Sequence, residues 1–150
     1  MNAIRMLTKE HDEVKEMFRE FEGLSGKSAK ATEAKQKLAE KVIEELKAHS
    51  QIEEQIFYPA VRERAKGEVR DLVLEGIEEH RVADFMMERL QQVEPEAEEF
   101  DARFKVLIES VKHHVNQEER SMFPEARKLL ENDLERLGDE MEKLHEQLEG

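Results

Sequence analysis

Glu44-Glu45-Leu46-Lys47-Ala48-His49-Ser50-Gln51-Ile52-Glu53-Glu54-Gln55-Ile56-Phe57-Tyr58-Pro59 decides the fold, because the chain repeats its pattern. From position 109 it reads Glu109-Ser110-Val111-Lys112-His113-His114-Val115-Asn116-Gln117-Glu118-Glu119-Arg120-Ser121-Met122-Phe123-Pro124. Relative to His49 and His114, both stretches carry Glu at −5, Lys at −2, Glu-Glu at +4 and +5, an aromatic at +9 and Pro at +10. A histidine and a glutamate four residues apart lie on one face of a helix, one turn from each other. Proline at +10 removes an amide donor and is expected to bend or loosen each helix about two turns beyond its histidine.

Working outward, an apolar seam can be traced by stepping three and four residues alternately. It runs Ala39, Val42, Leu46, His49, Glu53, Ile56, Ala60 through the first quoted stretch, and Phe104, Leu107, Val111, His114, Glu118, Met122 through the second. Two further seams are Ile4, Leu7, His11, Val14, Phe18, Phe21 and Val69, Val73, Gly76, His80, Ala83, Met87, Leu90. Each is apolar except near its middle, where His11, His49, Glu53, His80, His114 and Glu118 interrupt it. Glu10-His11 and Glu79-His80, each with a Met six positions after the histidine, extend the repeat to these two seams. The chain reads as a duplicated helical hairpin with an offset of 65 to 69 residues.

Composition agrees with helices. The chain is 38% apolar and 41% charged, with one Tyr, no Trp, three Pro and six Gly, too few turn formers and β-formers for a sheet. At 150 residues it fits one core. Breaks at Gly23–Ser28, Gly67 and the surroundings of Pro95 predict helices near 3–22, 30–66, 69–92 and 97–130. Asn132-Asp133 opens a short fifth over 133–148, with Asp133 as its N-cap. The predicted fold is all-α: an antiparallel up-down four-helix bundle over 1–130, with 131–150 an amphipathic helix. Its stripe Leu134, Leu137, Met141, Leu144 and Leu148 packs on the bundle or at a dimer contact, so the chain is expected to be a monomer or a homodimer.

A net charge of −13 argues against nucleic acid and anionic membranes as partners, since both need clustered Lys and Arg. The absence of cysteine excludes thiolate chemistry, disulfides and Fe–S ligation. No apolar run has signal-peptide or bilayer-spanning length, so a cytoplasmic location is expected.

Antiparallel helices would bring the six polar interruptions to one level inside the bundle. Burying ionised carboxylates there without partners costs several kcal/mol. One or two divalent cations, bound by neutral imidazole and carboxylate together, satisfy them more naturally than proton sharing does. Two equivalent half-sites face to face suit a pair of metals.

His11, then His49-x3-Glu53 with Phe-Tyr-Pro, then Glu79-His80, then His114-x3-Glu118 with Met-Phe-Pro resemble the hemerythrin-like (HHE cation-binding) family over roughly residues 3 to 125. The resemblance implies a non-haem di-iron site, two iron ions under an oxo or hydroxo bridge. His11, His49, His80 and His114 would be terminal ligands, and Glu53 and Glu118 bridging carboxylates. It further implies a small diatomic or peroxide ligand (dioxygen, peroxide or nitric oxide) handled in a sensing, scavenging or stress role. The alternative is an iron or oxygen sensor or iron buffer that folds on metal without turnover. Whether the chain is an enzyme stays open, because no nucleotide loop or nucleophile elbow appears. One departure stands out. Oxygen-carrying members have two His one turn apart on the third helix, and the position before His80 is Gly76. Water, Glu79, Asp84 or an exogenous ligand would take that place, which speaks against simple oxygen carriage.

Other candidates read more plainly. His113 points off the seam, Asp84 falls beside it, and His145 lies near a fraying end. Glu54 and Glu119 are expected to be solvated or to orient an imidazole N–H. Tyr58 reads as core packing, and Met17, Met86, Met87 and Met122 as core filler.

Overall fold

The computed structural model describes residues 1–149, all helix and short connections, with no strand among them. The Asn2 side chain caps α1 (Ala3–Gly23) by accepting the Arg5 N–H at 2.9 Å, and Ser28 Oγ does the same for Ala31 at the start of α2 (Ala29–Ile52). A π turn (Glu53–Phe57) joins α2 to α3 (Tyr58–Arg64), making one rod. After Gly67, whose φ of 58° favours glycine, comes α4 (Glu68–Gln91). The fourth rod is α5 (Glu98–Gln117), a second π turn (Glu118–Met122) and α6 (Phe123–Leu129). Short connections force successive rods antiparallel, and α1, α2–α3, α4 and α5–α6 surround one core. Last comes α7 (Leu134–Glu149), which lies across α1, α2 and the first π turn.

The two rods predicted as continuous helices are thus each widened once, and the prolines account for it. Pro59 and Pro124 have no N–H, and a proline ring collides with the carbonyl four residues back in a regular helix. Widening relieves this: the N–H of Tyr58 bonds the carbonyl of Glu53, and that of Phe123 bonds Glu118, five residues back. The distortion begins at the glutamates, nearer the histidines than expected. It also corrects the predicted seam. One extra residue in the turn shifts the buried face from Ile56 and Ala60, only half-buried, to Phe57 and Val61, which are fully buried.

The core is split in two by a polar layer. On one side Val14, Phe18, Phe21, Leu46, Phe104 and Val111 pack together; on the other, Leu7, Ile52, Phe57, Tyr58, Phe123 and Met141 do. The helix α7 belongs to the second cluster through Leu137 and Met141. Its first turn is tied down by Asp133, whose backbone carbonyl accepts Leu137 N–H and whose carboxylate meets Arg64 at 2.5 Å. Gly138 lets α7 press on the N-terminus of α1: a Cβ there would fall 2.0 Å from the Met1 carbonyl oxygen. Gly138→Ala is therefore expected to cost about 1–3 kcal/mol, since backbone must move. Urea unfolding checks this, and an unchanged or higher midpoint contradicts it.

Candidate metal centre

The polar layer contains all six residues expected from the sequence, every one buried. They form two four-residue groups that share both glutamates: His11, His49, Glu53 and Glu118, and Glu53, His80, His114 and Glu118. In each group one ligating atom per residue lies within 4.8 Å of the others. His11 Nε2 is 3.1 Å from His49 Nε2, and His80 Nε2 is 3.2 Å from His114 Nε2. Glu118 Oε1 lies 3.2 Å from His11 Nε2, and Glu53 Oε1 lies 3.0 Å from His80 Nε2.

What aims the imidazoles is a closed ring of four more carboxylates. His49 Nδ1 meets Glu10 at 2.7 Å, His80 meets Glu54 at 2.6 Å, His114 meets Glu79 at 2.6 Å and His11 meets Glu119 at 2.7 Å. Each link crosses to the next rod, so the ring runs α1, α2, α4, α5 and back to α1. An N–H committed at Nδ1 fixes the tautomer and turns the Nε2 lone pair inward. Glu54 and Glu119 thus orient imidazoles, one of the two roles read for them. Glu10 and Glu79 were missed as such. Their signal was present, since an acid precedes His11 and His80 and follows Glu53 and Glu118.

This arrangement fits a cation. Lone pairs facing each other at 3.1–3.2 Å repel unless a proton or a metal lies between. Glu53 Oε2 is buried with no hydrogen-bond partner among the described residues, and Glu118 Oε1, 3.2 Å from His11 Nε2, is not hydrogen-bonded by it, the unfinished valence that a divalent ion completes.

Neither carboxylate expected near Gly76 stands there. Glu79 is turned to His114, and the half-exposed Asp84 faces Arg81 at 3.4 Å. Tyr58 fills the place. Its hydroxyl donates to Glu118 Oε2, lies 3.2 Å from Glu53 Oε1 and 3.5 Å from His114 Nε2. A Cβ on residue 76 would approach it to 2.8 Å, so glycine makes the room. The Tyr58 ring stacks on His80, and Phe123, its counterpart 65 residues on, stacks on His11. The duplicated halves therefore differ at one atom that matters, the Tyr58 oxygen. Core packing alone undersells this residue.

On the side away from Glu53 and Glu118, a cavity of about 30 Å³ touches all four imidazoles, with Glu10 and Glu79 also at its wall. Its other walls are mostly apolar, with Val14, Leu46, Ala83, Met87 and Val111 among them. That is room for one or two water-sized molecules.

Without metal, the carboxylates hold protons on the imidazoles. Burial alone would lower the pKa of His114, but Glu118 with help from Glu53 and Glu79 raises it to about 12. His49 is likewise driven well above its ordinary value, against burial, by Glu53 and Glu10. Burial would raise Glu53, yet His49 and its hydrogen bonds take it well below the usual carboxylate range. Burial beside Glu118 and Glu53 pushes the Tyr58 phenol well up, so it stays a donor. The raised histidines stabilise the metal-free fold fully below pH 6.5 and lose this as pH rises, for His114 towards about 12. Glu53 contributes above pH 4.5 and fades as pH falls through its lower folded value. Metal-free protein is expected to melt highest near pH 4.5–6.5 and lower at about pH 9. Melts in chelator across that range check this, and a flat alkaline limb contradicts it.

No helix among the described residues is long and apolar enough to cross a membrane. A relative called a DNA nickase, from Nostoc sp., is 28% identical over 137 residues, covering 89% of this chain but 36% of its own length. The chain thus spans about a third of that relative. A crystal structure of a hemerythrin HHE cation-binding-domain protein from Mycobacterium kansasii shares the fold with a TM-score of 0.82 at 23% identity, over 99% of this chain and 87% of that one. The family description that matches residues 2–126 is the hemerythrin HHE cation-binding domain. With two cation-sized groups of buried His and Glu inside that span, this chain belongs to the hemerythrin HHE cation-binding family.

Proposed function

We propose that the chain is a non-haem di-iron protein that binds or reacts with a small ligand (dioxygen, peroxide or nitric oxide) in a sensing, scavenging or stress role. The observation that carries this reading is the sharing of Glu53 and Glu118 by two histidine pairs, the donor set of a bridged two-metal centre. His11 and His49 would hold one ion, His80 and His114 the other, with both glutamates between them. Iron suits mixed imidazole and carboxylate donors, and when bound it supplies a redox change and an open coordination position.

The rest of the proposal concerns the chain's own groups. Tyr58 donates a hydrogen bond to Glu118 and so orients one shared carboxylate. Its phenol takes the room beside Gly76, the position where the family resemblance would put a further imidazole, which supports reaction or sensing over carriage. The cavity of about 30 Å³ has room for a diatomic or a peroxide against the four imidazoles. Strand cleavage is left out: the nickase relative has nearly two thirds of its length outside the match, and a net charge of −13 repels a phosphate backbone. A second reading, a metal-dependent sensor without turnover, draws support from contact between α7 and the centre's surroundings.

Metal analysis of anaerobically purified protein tests the reading, followed by a spectrum after admission of air. About two irons per chain with ferric charge-transfer bands are expected. No metal, or one zinc with a featureless spectrum, overturns it.

A further inference from the structure

The C-terminal helix lies beyond the stretch that matches the family, yet it reaches the centre. Glu10 divides its carboxylate between two imidazoles. Its Oε1 holds His49 Nδ1 at 2.7 Å, and its Oε2 lies 3.4 Å from Nδ1 of His145 on α7. That nitrogen is buried and makes no hydrogen bond among the described residues, so its contact with Glu10 is one of charge, and His145 also bears on Glu45 of α2. The other ring nitrogen, Nε2, is 2.8 Å from Glu149. His145 is therefore packed against α1 rather than fraying at the chain's end.

The three remaining carboxylates of the ring are backed from within the four rods. Arg81 meets Glu54 at 2.6 Å, His113 approaches Glu79 at 3.7 Å, and the charge of Lys15 bears on Glu119. Among the described residues, only Glu10 is backed from outside them. The position of His145 in turn depends on how α7 is seated one and two turns earlier, through Met141, Leu137 and the Gly138 contact with Met1.

We infer that His145 is a positioning residue for one half of the centre: it holds Glu10 against His49, so that docking of α7 and metal retention by the His11–His49 half strengthen each other. Linkage makes the effect reciprocal, since whatever loosens α7 weakens that half, and an ion in that half tightens α7. Among the described residues no side chain of α7 meets Glu54 or Glu79, the carboxylates that orient the His80–His114 half. The inference rests on reading the centre as a metal site, and its test separates the two.

Full-length His145→Ala, His145→Gln and Lys143→Ala are loaded with iron, exposed to a chelator for set times, and assayed for metal per chain, with apo melting as a fold control. In His145→Ala one of the two ions is expected to leave about tenfold faster and the other at the wild-type rate, the low end for a group supporting a ligand. His145→Gln, whose amide offers a donor towards Glu10 in place of the imidazole, restores part of the retention, and exposed Lys143→Ala behaves as wild type. Unchanged loss in His145→Ala, or equal acceleration of both ions, overturns the inference. If the alanine variant does not fold, Gly138→Ala replaces it: faster loss of one ion supports the inference, and equal behaviour of both defeats it. If the wild type takes up no metal, the proposed function fails on its own. Imidazole NMR of the metal-free protein then decides: a shift at His49 but not His114 in His145→Ala supports the inference, and no shift at His49 overturns it.

Discussion

Stripping iron from the loaded protein is expected to lower its melting temperature by about 16–32 °C. A ligand present at about a thousand times its Kd stabilises the folded state by about 4 kcal/mol per site. Two sites give about 8 kcal/mol, and a chain of this size shifts by about 2–4 °C per kcal/mol. The physical source is in the polar layer. Glu53 and Glu118 are buried with one oxygen each not hydrogen-bonded among the described residues, and two imidazole pairs face each other at hydrogen-bonding distance. Protons on the histidines offset part of that cost in the metal-free protein, so the change falls towards the small end near pH 6 and grows at pH 8. Calorimetry with and without chelator at both pH values measures it. Coincident melts would mean that the layer is satisfied by protons alone.

The second large effect separates shared from private ligands. Glu118→Ala is expected to leave about zero ions per chain, because Glu118 belongs to both four-residue groups. His49→Ala is expected to leave about one, since His80 and His114 with both glutamates remain. Losing a direct ligand should weaken an ion by at least the roughly 10–100-fold seen for the groups that merely orient ligands. Metal analysis after dialysis against a weak chelator distinguishes the variants. One ion retained by Glu118→Ala, or none by His49→Ala, would contradict the assignment of shared and private residues.

The bundle and the six buried positions were legible because the chain writes the pattern twice and the seam phase singles out polar residues on an apolar face. The four carboxylates at Nδ1 were harder to find. Each acid sits next to a ligand in the chain but serves a histidine on a different rod, and a one-dimensional pattern does not say which rods are neighbours. Tyr58 was hidden for a geometric reason. At 100° per residue, a side chain five positions after Glu53 points about 140° away from it in a regular helix. The π turn absorbs one residue and brings Tyr58 back to about 40°, onto the site. Gly76 was read as a gap in the ligand set, whereas its missing Cβ is the space that the Tyr58 hydroxyl uses.

The widened turns also set what kinds of mutation the chain can absorb. Gln55 and Arg120 are exposed and occupy equivalent places inside the two turns. Exchanging either for another polar residue touches nothing in the core. Deleting either removes the extra residue and restores a regular helix in which Tyr58 or Phe123 stands four positions after its glutamate, still at about 40°. The stacking on His80 or His11 then keeps its direction, and the cost is the returning collision of Pro59 or Pro124 with the carbonyl four residues back. At these two positions the chain carries a residue that the register downstream does not need. A deletion elsewhere in the rods turns everything downstream by about 100°, so a deletion scan should find its mildest positions inside the two turns, and an equally deep loss there would contradict this.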